Sequence, residues 1–534
     1  MIATGGPVSA GGAVARVLRV VHASALPLPA TPSDESLEID AFERLKPQLS
    51  RLWDTIFPGD QDAYTSVIVP SLTLDRDELT KIAGISFYEE RLMFLLMRLR
   101  NPRARLVYVT SQPIHPMVLD YYLQLLAGIP ASHARSRLTL LCAYDSSPRS
   151  LTEKILERPR LMERIAAAIG DRSQAYLTVF NATPLERSLA VRLGIPMNAT
   201  DPRLTCWGSK SGSRQLFREV GVDLPYGHEN LREVHEIEDA LLDIATHRPQ
   251  IRSAVLKLNE SFSGEGNARF TFPVERTKFA IRNALQHLQF SVKSETSASY
   301  LARFAAGGGI AEEMIEATEV TSPSVQLRIN PRGRVILSST HEQTLGGPSG
   351  QTYLGCLFPA ADDYRSAIQE IGLVIGRGLA EKGVIGRFSV DFLASRNGPE
   401  ESWRLSALEI NLRMGGTTHP MLALRFLTGG ELDLDSGLVV AADGRAKYYR
   451  ASDNVESEQY RGLLPEDLID ILAMHRLDFN HRTSTGVLFH MIGAVSQFGK
   501  LGMTAIGNSR EEADLLFRRT VAVLDEETSG RSHA

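Results

Sequence analysis

Apolar and polar residues alternate along residues 386–395 with the two-residue period of a strand that is buried on one face. The apolar positions in this stretch are Phe388, Val390 and Phe392. A second stretch, residues 404–411, also has the pattern of a strand, and the segment between them, residues 396–402, is rich in turn-forming residues. The pattern predicts a β-hairpin in which one face of the second strand presents Leu405, Ala407, Glu409 and Asn411.

The register of this hairpin would bring two carboxylates together. With the turn centred near Glu400, the facing pairs are Asp391 with Glu409, Ser389 with Asn411 and Arg387 with Arg413. Opposed carboxylates repel unless a positive group lies between them. Mg²⁺ would suit this place, because it binds one or two carboxylates together with substrate phosphates, and arginines suit phosphate or carboxylate oxygens. The competing interpretation is that these polar residues only mark the ends of two strands.

Strand and helix patterns alternate between residues 65 and 201, which predicts a parallel sheet of Rossmann-like type. The predicted strands are residues 65–70, 105–110, 138–142 and 175–180, and the predicted helices are residues 79–100, 116–126, 150–170 and 184–193. The dinucleotide fingerprint G-x-G-x-x-G is absent after the first strand, so NAD binding is not inferred.

A glycine-containing loop, residues 260–267, lies between two predicted strands, residues 253–259 and 268–272. The first of these strands contains Lys257. Gly264 and Gly266 would let backbone N–H groups approach a phosphate closely, although an ordinary hairpin turn would have the same composition. Further strands are predicted at residues 310–316, 324–330 and 334–340, and a long amphipathic helix at residues 362–382.

Composition narrows the class of protein. The chain has 534 residues, enough for roughly three to four domain-sized units. Its net charge of −5 comes from interspersed acids and bases without a basic block, so neither nucleic acid nor a membrane surface is an expected partner. Cys142, Cys206 and Cys356 fit no zinc or redox spacing, and we expect a cytoplasmic protein. Residues 1–34, rich in Gly, Ala and Pro, are expected to form a partly disordered leader.

The order of these features resembles the ATP-grasp superfamily of carboxylate–amine ligases. The order is Lys210, Lys257 with its glycine loop, the acidic segment 312–315, and Asp391 followed by Glu409-Ile-Asn-Leu-Arg413. Within the superfamily, residues 105–530 resemble the pheganomycin-type peptide ligases. The stretches that support this are Gly208-Ser-Lys-Ser-Gly-Ser213, Lys257-Leu-Asn-Glu-Ser-Phe-Ser-Gly-Glu-Gly266 and Glu409-Ile-Asn-Leu-Arg-Met-Gly-Gly-Thr-Thr-His-Pro420. Leu412 departs from the pattern, since many ATP-grasp enzymes have proline there.

The resemblance implies an α/β fold with a Rossmann-like pre-ATP-grasp domain followed by ATP-grasp α+β subdomains. The implied domains are residues 35–205, the pre-ATP-grasp domain; residues 206–430, the ATP-grasp domain; and residues 431–534, a C-terminal extension packed on the ATP-grasp domain.

The resemblance also implies a role for each candidate site residue. Nucleotide phosphates would contact Lys210 and Lys257, beneath a loop containing Ser263, Gly264, Glu265 and Gly266. Adenine would be held by backbone groups of Glu312, Glu313, Met314 and Ile315, and the ribose by Glu319. Mg²⁺ would be held by Asp391, Glu409 and Asn411, with Arg387 and Arg413 near the transferred phosphoryl group or an acyl phosphate.

The implied activity is ATP- and Mg²⁺-dependent joining of a small-molecule carboxylate to an amine or short peptide, through an acyl phosphate. A phosphotransferase and a non-catalytic nucleotide-binding protein are the alternatives. A homodimer is a common state for such enzymes. Two features stay outside this assignment: His419, which receives no role, and residues 341–347, which we interpret as a loop near the substrate.

Overall fold

A computed structural model describes residues 28–29, 34–56, 61–74, 76–261, 266–290, 295–346 and 352–529. Most of the expected leader therefore lies outside the described residues, as do Ser263, Gly264 and Glu265 of the predicted phosphate loop. The described chain contains one parallel and two antiparallel sheets, which we treat in chain order.

The first unit contains a four-stranded parallel sheet, as the alternating pattern predicted. With strands numbered along the chain as given in the next sentence, the order in the sheet is β3-β2-β1-β4. Its elements are α1 (Glu35–Ile56), β1 (Tyr64–Val69), α2 (Arg76–Lys81), β2 (Ala104–Thr110), α3 (Pro116–Gln124), α4 (Ala131–Arg135), β3 (Leu138–Cys142), α5 (Leu151–Leu156), α6 (Pro159–Ile169), β4 (Ala175–Val179) and α7 (Pro184–Leu193), with 3₁₀ helices at Ile85–Arg100, Arg172–Gln174 and Pro202–Gly208. The helix predicted from residue 79 is interrupted at Gly84, whose left-handed backbone (φ 69°) cannot continue a right-handed helix.

The second unit is a five-stranded antiparallel sheet covered by helices. Its elements are α8 (Lys210–Glu219), β5 (Gly227–Leu231), α9 (Val234–His247), β6 (Ser253–Leu258), β7 (Asn267–Thr271), α10 (Lys278–Ala284), β8 (Gln289–Phe290), α11 (Ser297–Gly307) and β9 (Gly309–Glu313), with a 3₁₀ helix at Leu285–His287. The strand order is β5-β9-β6-β7-β8, so the strand with Lys257 (β6) lies beside the strand with Glu312 (β9).

The third unit is an eleven-stranded antiparallel sheet. Its elements are β10 (Glu319–Thr321), β11 (Pro323–Ile329), β12 (Val335–Gly346), β13 (Thr352–Phe358), α12 (Asp362–Glu381), β14 (Gly386–Arg396), β15 (Arg404–Asn411), α13 (Thr418–Thr428), β16 (Glu431–Leu432), β17 (Val439–Val440), β18 (Ala446–Glu456), α14 (Pro465–Met474), β19 (Gly486–His490), α15 (Val495–Phe498), β20 (Lys500–Gly507) and α16 (Arg510–Ser529), with 3₁₀ helices at Glu458–Tyr460 and Ile492–Ala494. The C-terminal strand β18 pairs with β13, so residues 446–507 continue this sheet.

The helix α12 packs closely beneath the third sheet, because glycines face it. A Cβ atom at Gly372 would lie 2.6 Å from Val325 Cγ1, and one at Gly376 would lie 2.6 Å from Val335 Cγ1. Both distances are shorter than any ordinary carbon contact. The small residues therefore set how near the helix approaches β11 and β12.

The hairpin β14–β15 has the predicted register at its centre but not along its whole length. Asp391 faces Glu409 and Ser389 faces Asn411, as expected. The prediction that Arg387 faces Arg413 is wrong, because pairing with β15 ends at Asn411, and Arg387 lies opposite Arg328 on β11 instead.

A β-bulge also corrects the prediction that Leu405, Ala407, Glu409 and Asn411 share one face. The pairing shifts between Asp391 and Phe392, so that Ala407 rather than Leu408 faces Phe392. The extra residue turns the strand over at this point. Ala407 packs in the core of the third unit, whereas Leu408, Glu409 and Asn411 line the cleft described below.

Candidate active site

A cleft of about 860 Å³ lies between the second and third units, with part of its wall from the first. That volume suits a nucleotide-sized ligand. Ten of the predicted site residues line it: Lys210, Lys257, Glu312, Glu313, Met314, Ile315, Asp391, Glu409, Asn411 and Arg413. The fold therefore brings together residues that are up to about two hundred positions apart in the sequence.

The carboxylates of Asp391 and Glu409 share one amide nitrogen. Asn411 Nδ2 donates to Asp391 Oδ2 at 3.0 Å and to Glu409 Oε1 at 3.2 Å, and Asn411 Oδ1 accepts from Arg413 Nη2 at 3.0 Å. Gln343 Nε2 donates to the other Asp391 oxygen at 2.8 Å. The amide thus occupies the place between the two acids where a cation would be favourable, and the donor set of oxygen atoms suits Mg²⁺.

The two carboxylates titrate differently because their surroundings differ. Burial and the charge of Glu409 raise the pKa of Asp391. Burial also acts to raise the pKa of Glu409, but the Lys210 ammonium and its hydrogen bond outweigh this and lower it. Two neighbouring carboxylates do not readily ionise together, and such a pair is the arrangement expected where a divalent cation binds.

Lys210 is held at the first turn of α8. Ser209 caps the helix by accepting from Gly212 N at 3.0 Å, and Lys210 Nζ forms an ion pair with Glu409 Oε2. A Cβ atom at position 212 would lie 2.0 Å from the Cys206 carbonyl oxygen, so only glycine fits there. The sequence Ser-Lys-Ser-Gly therefore directs the ammonium group toward the carboxylate pair.

Lys257 has a protein partner on the neighbouring strand. Its Nζ lies 2.6 Å from Glu312 Oε1, while Arg214 Nη1 lies 2.7 Å from Glu312 Oε2. The Glu312 side chain is only 3% exposed, so one buried carboxylate fixes two cations. The phosphate contact of Lys257 stays a prediction, and in the structure Glu312 already neutralises part of its charge.

The segment 312–315 is fixed by its other contacts. Glu313 N donates to Tyr226 O at 2.7 Å, and the Glu313 carboxylate accepts from Tyr226 N at 2.8 Å and from Arg248 Nε at 2.7 Å. Met314 N donates to Ser253 O at 3.2 Å. The side chain of Glu313 is thus used to hold the segment, and adenine contacts through backbone groups stay a prediction.

Three predicted residues do not line this cleft in the described structure. Glu319 Oε2 accepts from Arg396 Nε at 2.9 Å and Nη2 at 2.7 Å, so its carboxylate is directed to the hairpin and the ribose role stays an untested prediction. Gly266 is buried, and its carbonyl accepts from the Tyr300 hydroxyl at 3.0 Å. Arg387 lines a second cavity, next to this one.

The segment interpreted as a substrate loop, residues 341–347, is a strand as far as Gly346. Its polar residues lie on two different faces of the strand. His341 is fully buried against Tyr449, with its Nε2 2.5 Å from the hydroxyl oxygen, whereas Glu342 and Gln343 line the cleft. Gln343 is the site residue that sequence reasoning missed, because the segment was not recognised as a strand next to β11.

His419 belongs to a buried hydrogen-bonded cluster behind the cleft. Its Nε2 lies 3.0 Å from His490 Nε2, and His490 Nε2 lies 2.7 Å from Asp453 Oδ1. Arg91 Nε donates to the other Asp453 oxygen at 3.0 Å. Burial, helped by His490, lowers the pKa of His419 to about 4. These contacts tie α13 to β18, β19 and the first unit, which is a positioning role that the sequence did not indicate.

Comparison with known proteins identifies the family of the chain. Residues 204–291 and 280–435 match the family described as IQCH-like ATP-grasp, and residues 467–520 match the PGM1 C-terminal domain. The sequence is 31% identical over 473 residues to the L-propargylglycine–L-glutamate ligase of Streptantibioticus cattleyicolor, covering 86% of this chain and 94% of that enzyme. The chain belongs to the ATP-grasp family of carboxylate–amine ligases. As a member of this family, it is an ATP- and Mg²⁺-dependent ligase that forms amide bonds.

Solved structures support the fold assignment. The biotin carboxylase of Campylobacter jejuni resembles the chain with a TM-score of 0.53 at 11% identity, covering 88% of this chain and 96% of that one. The biotin carboxylase domain of Hydrogenobacter thermophilus 2-oxoglutarate carboxylase, a dimer with MgADP, ADP and bicarbonate, has a TM-score of 0.51 at 13% identity, covering 85% and 89%. In the part of this ligase that the structure describes, no helix is long and apolar enough to cross a membrane.

Proposed function

We propose that Asp391, Glu409 and Asn411 form the Mg²⁺ site of this ligase, and that the 860 Å³ cleft binds ATP beside the acid to be activated. The observation that supports this most directly is the pair of carboxylates bridged by the Asn411 amide, with Lys210 on one side and Arg413 on the other. Turning the Asn411 amide by half a rotation would present its oxygen to a cation between the carboxylates. When bound, Mg²⁺ would neutralise phosphate charge during phosphoryl transfer.

The protein side chains then have separate tasks. Lys210 and Lys257 both reach the cleft from the second unit, and we assign them to the nucleotide phosphates, where their carboxylate partners hold them in position. Arg413 is placed to stabilise the acyl phosphate formed when the substrate carboxylate attacks the γ-phosphate. The amine then attacks the acyl carbon and phosphate leaves, a sequence that needs alignment and charge neutralisation rather than a protein nucleophile.

The relative from Streptantibioticus cattleyicolor is named for joining two amino acids, and we propose that this chain also joins an amino acid or short peptide to an amino acid.

ADP release tests the proposal across a panel of amino acids and short peptides, with ATP and Mg²⁺. We expect release that needs both an acid and an amine, and that falls at least about 100-fold in Glu409→Gln, by analogy with the loss of one electrostatic contact to a transition state. Glu400→Gln, in the exposed turn of the same hairpin, is the matched control and should keep wild-type rates. ADP release that is unaffected by Glu409→Gln would refute the metal assignment.

We also propose a cytoplasmic homodimer. Support comes from the use of ATP and from the dimeric state of the Hydrogenobacter domain, which has a similar fold. Light scattering on the full chain would give the mass, and a monomer at micromolar concentration would contradict the dimer.

A further inference from the structure

Arg91 is the charged side chain that the first unit contributes to the wall of the active-site cleft. The other described residues of this unit along the cleft are apolar or aromatic: Leu72, Ile82, Tyr88 and Phe180. Clefts that bind small molecules typically combine such a wall with a few polar groups that fix the orientation of the ligand. Arg91 is therefore the group on this wall that is suited to hold a charged part of a substrate.

Asp453 anchors one edge of the Arg91 guanidinium. Arg91 Nε donates to Asp453 Oδ2 at 3.0 Å, and Arg91 Nη2 donates to the same oxygen. Asp453 is fixed in turn by His490, whose Nε2 lies 2.7 Å from Asp453 Oδ1. A guanidinium has several N–H donors in a rigid fork, and within the described part of the chain Arg91 Nη1 makes no hydrogen bond. Asp453 thus orients the guanidinium and leaves its Nη1 end for a second carboxylate.

Two aromatic rings of the same wall also hold the guanidinium. Arg91 Cζ lies over the ring of Tyr88, 4.8 Å from the ring centroid, and over the ring of Phe180, 5.3 Å from its centroid. Cation–π contacts of this kind stabilise a partly buried guanidinium. Because Arg91 is already oriented, it loses little side-chain freedom when a carboxylate binds.

Arg91 lies next to the place where the acyl phosphate is proposed to form. Met414 N donates to Phe180 O at 3.0 Å, and Met414 directly follows Arg413, whose Nη2 donates to Asn411 Oδ1. Burial lowers the pKa of Arg413, and the charge of Arg91 adds to this effect. A carboxylate on Arg91 would therefore be near the reacting groups but separate from the carboxylate that is phosphorylated.

The proposed reaction has a use for such a second carboxylate site. When the amine donor is an amino acid, its nitrogen attacks the acyl carbon, while its own carboxylate takes no part in bond formation. That carboxylate has to be kept away from the γ-phosphate, since it would otherwise compete for activation. Holding it also aligns the amine with the acyl carbon, and alignment is a large part of the catalytic effect in reactions of this kind.

We propose that Arg91 binds the free carboxylate of the amine donor, so that this donor is an α-amino acid. This inference rests on the proposed function and adds the chemical class of the amine to it.

Amine donors that differ only at the carboxylate test this. Each amino acid of the panel is compared with its own amide, and ADP release is measured with ATP, Mg²⁺ and the acid substrate. For the preferred donor, we expect kcat/KM of the free amino acid to be at least about 10-fold higher than that of the amide, because the amide lacks the charge-assisted contact with Arg91. Equal or faster reaction of the amide would overturn the proposal.

A double variant locates the effect. Arg91→Gln alone would leave Asp453 buried without its ion-pair partner, so it is combined with Asp453→Asn. We expect the preference for the amino acid over its amide to fall at least about 10-fold in this variant. A purely structural role would lower kcat/KM for both donors equally, and an unchanged preference would overturn the proposal.

The control removes a similar ion pair elsewhere in the first unit. Arg187 Nε lies 2.6 Å from Glu38 Oε1, and both side chains are largely buried. Neither residue lines the cleft. Arg187→Gln combined with Glu38→Gln should therefore keep the wild-type preference, and loss of the preference in this control would also count against a specific contact with Arg91.

Calorimetry with Mg²⁺ and a non-hydrolysable ATP analogue needs no turnover, so the two proposals fail separately. Tighter binding of the amino acid than of its amide, lost in the Arg91 and Asp453 double variant but without ADP formation in the wild type, would count against the ligase reaction while supporting the carboxylate site. Turnover without this preference would do the reverse.

Discussion

At the scale of single residues, the proposed metal ligands are held in place by neighbouring side chains. Asp391 receives one hydrogen bond from Asn411 and another from Gln343. The sequence predicts that Asp391, Glu409 and Asn411 bind a cation, because of their spacing and type, and this stays a prediction. Sequence reasoning missed Gln343, because nothing in a lone glutamine among polar residues shows which carboxylate it will face after folding.

In Gln343→Leu, the Mg²⁺ concentration that gives half-maximal activity should rise about 10–100-fold, because partners that orient a metal ligand typically contribute that much to metal affinity. A titration of turnover with Mg²⁺ measures this concentration. Thr344→Ala, at the next and exposed position of β12, should behave as wild type. A Mg²⁺ curve for Gln343→Leu that overlays wild type would show that Gln343 does not orient Asp391.

Histidine burial gives a second prediction at this scale. Burial lowers the pKa of His341 to about 3, against about 6.5 in an unfolded chain. At pH values between these two, the unfolded chain therefore binds one proton that the folded chain does not. Stability therefore rises with pH across this window and falls as pH drops below 6.5. Relative to His341→Asn, the wild type should lose about 1–2 kcal/mol of unfolding free energy between pH 6.5 and pH 5.

Chemical denaturation of both proteins at several pH values measures this difference. Glu89 and Glu90, whose pKa burial raises to about 7, act in the opposite direction in both proteins and cancel in the comparison. Parallel stability curves for the two proteins would contradict the assignment of His341 as a buried neutral residue.

At the scale of elements, strands and helices followed from periodicity, and the local errors have physical causes. The alternation at 386–395 predicted β14 correctly, since Phe388, Val390 and Phe392 are all buried. The pattern at 404–411 suggested an unbroken strand, but the bulge turns Glu409 to the cleft while Ala407 stays in the core. A bulge of this kind has no glycine or other marker here, so only the packing of both faces reveals it.

Gly212→Ala tests whether the first turn of α8 sets the position of Lys210. A methyl group there would clash with the Cys206 carbonyl oxygen, so we expect a loss of about 1–3 kcal/mol in unfolding free energy and weaker ATP binding. Gly307→Ala, in a helix with open space around it, is the control and should be neutral or slightly stabilising. Equal stability and equal ATP affinity in Gly212→Ala would refute this explanation of the glycine.

At the scale of the whole molecule, the candidate active site lies where the three described units meet. The cleft takes Lys257 and Glu312 from the second unit, Asp391 and Glu409 from the third, and Arg91 from the first. The sequence predicted the parallel sheet and the order of site residues. It did not predict that residues 446–507 would continue the third sheet, or that arginines from two units would converge, because those contacts join segments far apart in the chain.

Because all three units line the cleft, ligand binding should stabilise the folded chain as a whole. At 100 times its dissociation constant, MgATP should add about 2.7 kcal/mol to the stability of the wild type and raise its unfolding temperature. In Glu409→Gln the additional shift that Mg²⁺ gives over ATP alone should disappear. A shift of the same size in both proteins would mean that Mg²⁺ does not bind at Glu409.

Activation of a carboxylate by phosphoryl transfer would move one carboxylate oxygen to the released phosphate. A substrate acid labelled with ¹⁸O in both carboxylate oxygens, followed by ³¹P NMR of the phosphate, detects this transfer. If an acyl phosphate forms, each amide bond should be accompanied by one phosphate that carries a single ¹⁸O atom. In Asp391→Asn, amide formation and labelled phosphate should both disappear. Amide formation with unlabelled phosphate, or phosphate release that needs no acid, would contradict carboxylate activation at this site.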